Sequence, residues 1–349
     1  MWDTTSTLST APGAASVAPV HDLACVIHLH SLHSDGTGTV REIVRAGRRA
    51  GVDVVMLTDH DTLEAKRQGD EGWHDGVLLL VGEEVSPPRH DHCLAFGVDT
   101  EIDNGLDADG ILRAIRAAGG LSFAAHPFSR GSRRFKRAGD GMPFAALDSD
   151  ALHGIELWSF VTDTAETLES LPHALRFIVA PGRVLDHPPA RNMSEWDRLC
   201  RSRRVVAIGG LDAHQIGKRI GPFVPLRLMA YHRSFRYLRT HVLCREQPTG
   251  DLEHDRDQVY AALREGRSYI SVDHLAPPAG FGFWQDAAGL HVRTPRPADL
   301  RLLRDGAEVA RVQGAELDHE PPAAGSHRVE ARLGGRLWIL SNPLPRLDG

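Results

Sequence analysis

Histidines and carboxylates recur in short clusters along this chain. They are His28-Leu29-His30 with Asp35 five residues on, Thr58-Asp59-His60-Asp61, Glu83-Glu84, His90-Asp91-His92, His126 before Pro127, and Asp212-Ala213-His214. Imidazole and carboxylate are the ligand types of hydrolytic divalent-metal sites. On an extended chain, residues two apart point to one side, so His28 and His30 can aim into one space. A lone His-x-His reads equally well as a histidine-rich loop, so the decision rests on what positions the other clusters. The chain has 20 histidines in 349 residues, the one compositional excess that points to chemistry.

Each cluster follows or borders an apolar run. Residues 24–27, 52–57, 77–81, 93–98, 121–125, 155–158 and 205–208 are short, aliphatic or β-branched, and read as buried strands. Residues 39–50 and 109–118 carry apolar side chains at helical spacing and stop at Gly51 and Gly119-Gly120. A further helix is expected over 258–265, ended by Gly266, and residues 131–140 and 215–239 read as Arg- and Gly-rich loops. Parallel strands joined by right-handed crossovers place all their C-terminal ends on one face. His28, His30, His60, Glu84, His126, Asp212 and His214 sit at or just past such ends, with Asp35 and His92 on adjacent loops. One such residue is explained as a polar loop group. Several strand ends carrying them together call for a shared metal site. Two choices stay open at this level: Glu83 is adjacent to Glu84 and faces the other way on a strand, and His90 faces the same way as His92.

Composition sets the outer limits. The length allows one large α/β domain with a small appendage or two ordinary domains, and 42% apolar with 25% charged residues is a soluble globular balance. A net charge of −6 argues against a general nucleic-acid surface. Cys25, Cys93, Cys200 and Cys244 form no Cys-x-x-Cys pair, which argues for reduced thiols over a zinc finger or a disulfide framework. Residues 1–20 read as a flexible tail without signal-peptide character, and no apolar run approaches the ~20 residues that span a bilayer. The expectation is a cytoplasmic protein. From residue 276 the texture changes to short alternating runs separated by Asp305-Gly306 and Gly334-Gly335, which predict a small antiparallel β domain over 276–349.

The motifs His28-x-His30 with Ser34-Asp35-Gly36, Thr58-Asp59-His60, Gly82-Glu83-Glu84, Ala125-His126-Pro127 and Asp212-Ala213-His214, in this order, resemble those of the PHP (polymerase and histidinol phosphatase) metallohydrolases. The resemblance covers about residues 24–275, within a domain taken as 21–275. It implies a distorted (β/α)7 barrel, TIM-like, with two or three divalent ions at the C-terminal ends of its strands. Leu337-Trp338-Ile339-Leu340-Ser341-Asn342-Pro343 is similar to the C-terminal end of the carbaryl-hydrolase-like (CehA/McbA) branch.

Carried over by motif, the resemblance implies one ion held by His28, His30, Glu84 and Asp212. A second would share Glu84 and take His92 and His126, and a third would take Asp35, His60 and His214. Six imidazoles and three carboxylates without a thiolate suit Zn²⁺, Mn²⁺ or Fe²⁺. Asp59 and Asp61 flank His60 and are candidates for orienting its ring or shuttling a proton, against the plainer reading of exposed loop acids. Arg130, Arg133, Arg134 and Lys136 after His126, and Lys218 and Arg219 after His214, are candidates for meeting an anion, with Arg130 and Lys218 singled out. Solvated loop charge is the plainer reading for most of them.

The expected activity is phosphoester hydrolysis of a small phosphorylated metabolite or nucleotide, with an anionic small molecule as partner and no membrane. The alternative is carbamate, ester or amide hydrolysis, and a third is a binding module with a decayed site.

Overall fold

The computed structural model describes residues 20–131, 141–167, 170–180, 182, 187–215, 221, 229–320 and 323–345. Nearly all of the expected N-terminal tail, together with Arg133, Arg134, Lys136, Lys218 and Arg219, lies outside the described residues.

The strands are β1 His21–Ile27, β2 Val54–His60, β3 Gly72–His74, β4 Val77–Val85, β5 Cys93–Phe96, β6 Leu121–Ala124, β7 Gly154–Ser159, β8 Val206–Gly210, β9 Arg239–Cys244, β10 Ser268–Ser271, β11 Gly282–Asp286, β12 Gly289–Arg304, β13 Ala307–His319, β14 His327–Leu333 and β15 Arg336–Ser341. Helices are α1 Val40–Ala50, α2 Glu64–Arg67, α3 Ala108–Ala117, α4 Phe160–Thr167, α5 Leu171–Val179, α6 Ala190–Cys200, α7 Tyr231–Ser234 and α8 Leu252–Arg264. The protein is mixed α/β. None of the described helices is long and apolar enough to cross a membrane.

The strands form one sheet in the order β11-β12-β14-β15-β10-β9-β1-β2-β4-β5-β6-β7-β8, with β13 on β12 and β3 on β4. The expected closed (β/α)7 barrel is not what the pairing shows, because this path has two ends. The reason is local. Over His21–Cys25 the free edge of β1 is taken by antiparallel β9, so β8 cannot pair there. It reaches β1 only at its exit, through an isolated bridge between Leu29 and Ala213 and the bond from Leu211 N to Ile27 O (2.9 Å). Thr240 of β9 caps Gly209 of β8 instead, accepting from its N–H at 2.9 Å and donating to its carbonyl at 3.0 Å.

Nor is the sheet uniformly parallel. β1-β2, β2-β4, β6-β7 and β7-β8 are parallel, whereas β5 runs antiparallel between β4 and β6. Val85 at the end of β4 pairs with Cys93 at the start of β5. A reversed strand must therefore supply a ligand from its beginning, which is where His92 stands.

The apolar runs do not alternate with polar residues because both faces are covered. Val55, Leu57, Leu79 and Val81 pack into one cluster with Ile43, Val44 and Ile111 of α1 and α3. Val54, Met56, Leu78 and Leu80 pack into another with Val259, Ala262 and Leu263 of α8. The start of α1 is set by a capping box between Thr39 and Glu42, and its end by Gly51 in the left-handed region (φ 69°). α8 begins earlier than periodicity indicates because Asp251 caps it, accepting from His254 N at 2.9 Å. The C-terminal strands surround their own cluster of Leu300, Leu302, Val329, Trp338 and Ile339. Residues 290–293 and 300–303 belong to one strand, β12, with an irregularity in its pairing to β13 between Arg293 and Ala298.

All four cysteines are free and buried. His241 of β9 is also buried, with Nδ1 at 2.7 Å from Asp22 of β1 and Nε2 at 3.2 Å from Asp273, beside Arg239 and stacked on Tyr269. Burial alone would lower its pKa, but the charge and hydrogen bonds of Asp22 and Asp273 raise it to about 10. The sign follows from linkage: the folded value lies above the unfolded ~6.5, so this stability is fully present below pH 6.5 and is lost as pH rises through about 10. Asp22→Asn should shift that alkaline loss to lower pH. Urea unfolding of both proteins between pH 6 and 10.5 measures it, and superimposable pH profiles would refute it.

Candidate metal centre

The site forms where the parallel strands end and β5 begins, and its backbone departs from strand geometry there. His28, His126 and Asp212 have positive φ (68°, 31° and 49°), each costing on the order of 1–3 kcal/mol that surrounding bonds must hold. The proximity of His28 and His30 therefore does not come from strand alternation: β1 stops at Ile27, and the chain turns as it delivers both rings, 5.2 Å apart. Beyond them Gly36 is obligatory, because a Cβ there would lie 2.1 Å from His30 O. Tyr231 of α7 donates to the same carbonyl at 2.6 Å.

All nine expected ligands converge. Glu84 lies at the centre: its Oε2 is 3.1 Å from His28 Nε2, 3.3 Å from His30 Nε2 and 3.2 Å from His60 Nδ1. Its Oε1 is 2.9 Å from His92 Nδ1 and 3.3 Å from His126 Nε2. Asp212 Oδ1 stands 3.7 Å from His28 Nε2 and 3.6 Å from His30 Nε2. Asp35 Oδ1 stands 3.1 Å from His214 Nε2 and 3.7 Å from His60 Nε2. The ring of His30 is sandwiched between those of His214 and His60, at 4.1 and 4.4 Å. Four groupings have ligand atoms within 4.8 Å of one another: His30-Asp35-His60-His214, His28-His30-Asp212, His28-Glu84-His126 and His60-Glu84-His92.

Donor counting shows which ring nitrogens are available. Ser86 Oγ donates to Glu84 O at 2.8 Å, so it must accept from His60 Nδ1–H at 2.7 Å, which leaves Nε2 as the free lone pair. That argues against His60 joining the Glu84–His92 grouping through Nδ1 and for its place with Asp35 and His214. His214 Nδ1 donates to Asp212 O at 3.0 Å, again leaving Nε2. His28 Nδ1 lies 3.0 Å from Glu156 Oε1. His30 is fully buried with neither ring nitrogen hydrogen-bonded, and His126 Nδ1 is likewise unpartnered. Buried, unpartnered imidazole nitrogen is costly unless something coordinates it, so this donor set fits divalent cations.

The electrostatics agree with a ligand role. Burial, then neighbouring His214, push His30 down to about 4, so it is a neutral imidazole at pH 7. Burial would raise Glu84 and Asp212, yet the surrounding histidines hold both carboxyls below the usual range.

The neighbours of the ligands take other roles. Glu83 faces away from the site and accepts from Ile102 N at 2.8 Å, and burial raises it to about 7. His90 is exposed and paired with Asp91. Asp59 is buried, and its carboxylate accepts from Ser31 N (2.6 Å), Ser31 Oγ (2.7 Å) and Ser34 Oγ (2.6 Å), which ties β2 to the loop after His30. Asp61 Oδ1 accepts from Ser86 N at 2.7 Å. Arg130 is exposed, its N–H held by Glu166 of α4.

Two participants were not visible in the motifs. Thr162 of α4 donates to Asp212 Oδ2. Glu156 of β7 is fully buried between His28 and His126. The available signal for the second was a carboxylate inside the otherwise apolar run Ile155-Glu156-Leu157-Trp158, since buried carboxylates need partners.

No family model matches the chain. A curated relative, an uncharacterised protein of Methanocaldococcus jannaschii, is 26% identical over 118 residues, covering 30% of this chain and 67% of that protein. Among solved structures, a two-domain protein from Bacteroides vulgatus containing a predicted PHP-like metal-dependent phosphoesterase is similar at 16% identity, with 93% of this chain and 96% of that one covered and a TM-score of 0.45. An amidohydrolase from Chromobacterium violaceum, solved with sulfate and without metal, is similar at 17% identity, with 54% and 87% covered and a TM-score of 0.26.

Proposed function

We propose that the protein is a metal-dependent hydrolase of the PHP type whose preferred reaction is phosphoester hydrolysis. The observation that carries this is the approach of five histidines to within 3.3 Å of one buried carboxylate, Glu84. His28, His30, Glu84 and Asp212 would hold one ion; Glu84, His92 and His126 a second; Asp35, His60 and His214 a third. Zn²⁺, Mn²⁺ or Fe²⁺ bound there would supply Lewis-acid polarisation of an ester oxygen and activation of water near neutral pH.

The chain's own contribution is orientation. Ser86 and the Asp212 carbonyl set the tautomers of His60 and His214, and Asp59 fastens the loop that carries Asp35. Asp61 is the proposed proton shuttle at the rim. Arg130, exposed after His126, is the described candidate for contact with an anionic substrate. Three divalent ions against Asp35, Glu84, Asp212 and Glu156 leave a net charge of about +2, which favours an anion in an otherwise acidic protein. The division into a catalytic unit over 21–275 and a β unit over 276–349 belongs to this proposal, supported by the separate apolar cluster of the C-terminal strands.

Elemental analysis of purified protein should find Zn, Mn or Fe in more than one equivalent, and chelation should abolish turnover of an aryl phosphate. Aryl carbamates and carboxylic esters tested alongside give the second reading its chance. Turnover of those alone would displace the phosphoester assignment, and protein that neither contains nor takes up metal would end the hydrolase reading.

A further inference from the structure

We infer that Glu156 is a positioning residue of the metal centre, acting through two ligands without touching an ion itself; the inference rests on the metal-site reading above. Its side chain is fully buried, and each oxygen has a separate task. Oε1 lies 3.0 Å from His28 Nδ1, and Oε2 accepts the backbone N–H of His126 at 2.7 Å.

The first contact fixes a tautomer. A carboxylate can only accept, so Glu156 keeps a proton on His28 Nδ1, and Nε2, 3.1 Å from Glu84 Oε2 and 3.7 Å from Asp212 Oδ1, is the nitrogen that would give up its proton to face an ion. The second contact holds a backbone. His126 has φ 31°, a conformation that a non-glycine residue keeps only when its surroundings impose it. One carboxylate thus governs the ring of one ligand and the main chain of another.

The fold makes room for this group. A Cβ on Gly210 would lie 1.9 Å from Glu156 Oε1, so β8 has no side chain where the carboxylate passes. β7 and β8 also lose regular register between Glu156 and Trp158. The other end of the site has its own tethers, Ser86 on His60 and the Asp212 carbonyl on His214. The influence of Glu156 is therefore confined to the His28–Glu84–His126 end.

The test is Glu156→Gln, with Glu156→Ala beside it, in the full-length protein. Glutamine has the same volume but one acceptor oxygen, so it can serve His28 or His126 and must present an N–H to the other. Competition of Zn²⁺ and Mn²⁺ with a chromophoric chelator should show affinity weakened roughly 10–100-fold for the two ions that His28 and His126 would hold, with the ion at Asp35, His60 and His214 bound as in wild type. Nitrogen-15 spectra should show the Nδ1–H tautomer of His28 in wild type and its loss in Glu156→Ala.

Folded variants that bind every ion within twofold of wild type would overturn the inference, as would a uniform loss across all ions. A glutamine variant that fails to fold would overturn it too, because the residue would then hold the fold and not the site. Failure of wild type to bind metal would sink the underlying site reading, a distinguishable result.

Discussion

Glu84→Ala is expected to strip the protein of most of its metal and to lower kcat/KM by at least about a thousandfold, roughly 4 kcal/mol of transition-state stabilisation. The two side-chain oxygens of Glu84 face different groups of histidine rings, His28, His30 and His60 on one side and His92 and His126 on the other. Its removal leaves buried imidazoles without the charge that holds them together, so more than one ion should be lost at once. Glu83→Gln is the internal control. That side chain is one residue away but accepts from Ile102 N on the opposite face, so metal content should stay at the wild-type level. Elemental analysis and steady-state kinetics on the pair decide the matter. Equal metal content in Glu84→Ala and wild type would remove Glu84 from the centre.

The largest effect on stability should come from Arg328→Ala, far from the chemistry. Arg328 of β14 is 4% exposed and holds Asp197 of α6 with two nitrogens, at 2.8 and 3.0 Å, and Glu330 at 2.9 Å. It ties the C-terminal strand β14 to α6. Deleting one partner of a buried ionic group leaves the others charged and unpaired, which costs about 3–5 kcal/mol. For a chain of this size the melting midpoint should fall by about 4–7 °C. Metal content per folded molecule should not change. An unaltered midpoint by calorimetry would contradict the assignment. Replacing Arg328, Asp197 and Glu330 together by apolar residues of similar volume should restore much of the loss, since desolvation then no longer opposes folding.

Much of the site was legible from residue types. Each ligand cluster follows or borders an apolar run, and those runs are strands because they are short, aliphatic and buried on both faces. Alternation on β4 makes Glu83 and Glu84 face opposite ways without saying which faces the site; Glu84 was chosen by the family motif, and in the structure it faces the histidines while Glu83 accepts from Ile102 N. His92 over His90 was not legible, because both face one way on an extended chain. What separates them is that His90 is exposed and turned to Asp91, whereas His92 stands where antiparallel β5 enters the sheet.

The sequence by itself determined the inventory of candidate ligands and most of the strands, since burial and ligand chemistry are properties of local residue types. Only the tertiary structure decided how the strands are paired. β9 takes the edge of β1 that a closed barrel would need, and no local signal encodes a partner more than 200 residues away. The same is true of the proton positions on the ligands. His60, His214 and His28 are set by Ser86, a backbone carbonyl and Glu156, groups brought within hydrogen-bond reach by folding alone. Ligand type is written along the chain, but the direction of a lone pair depends on a donor or acceptor that arrives from another strand.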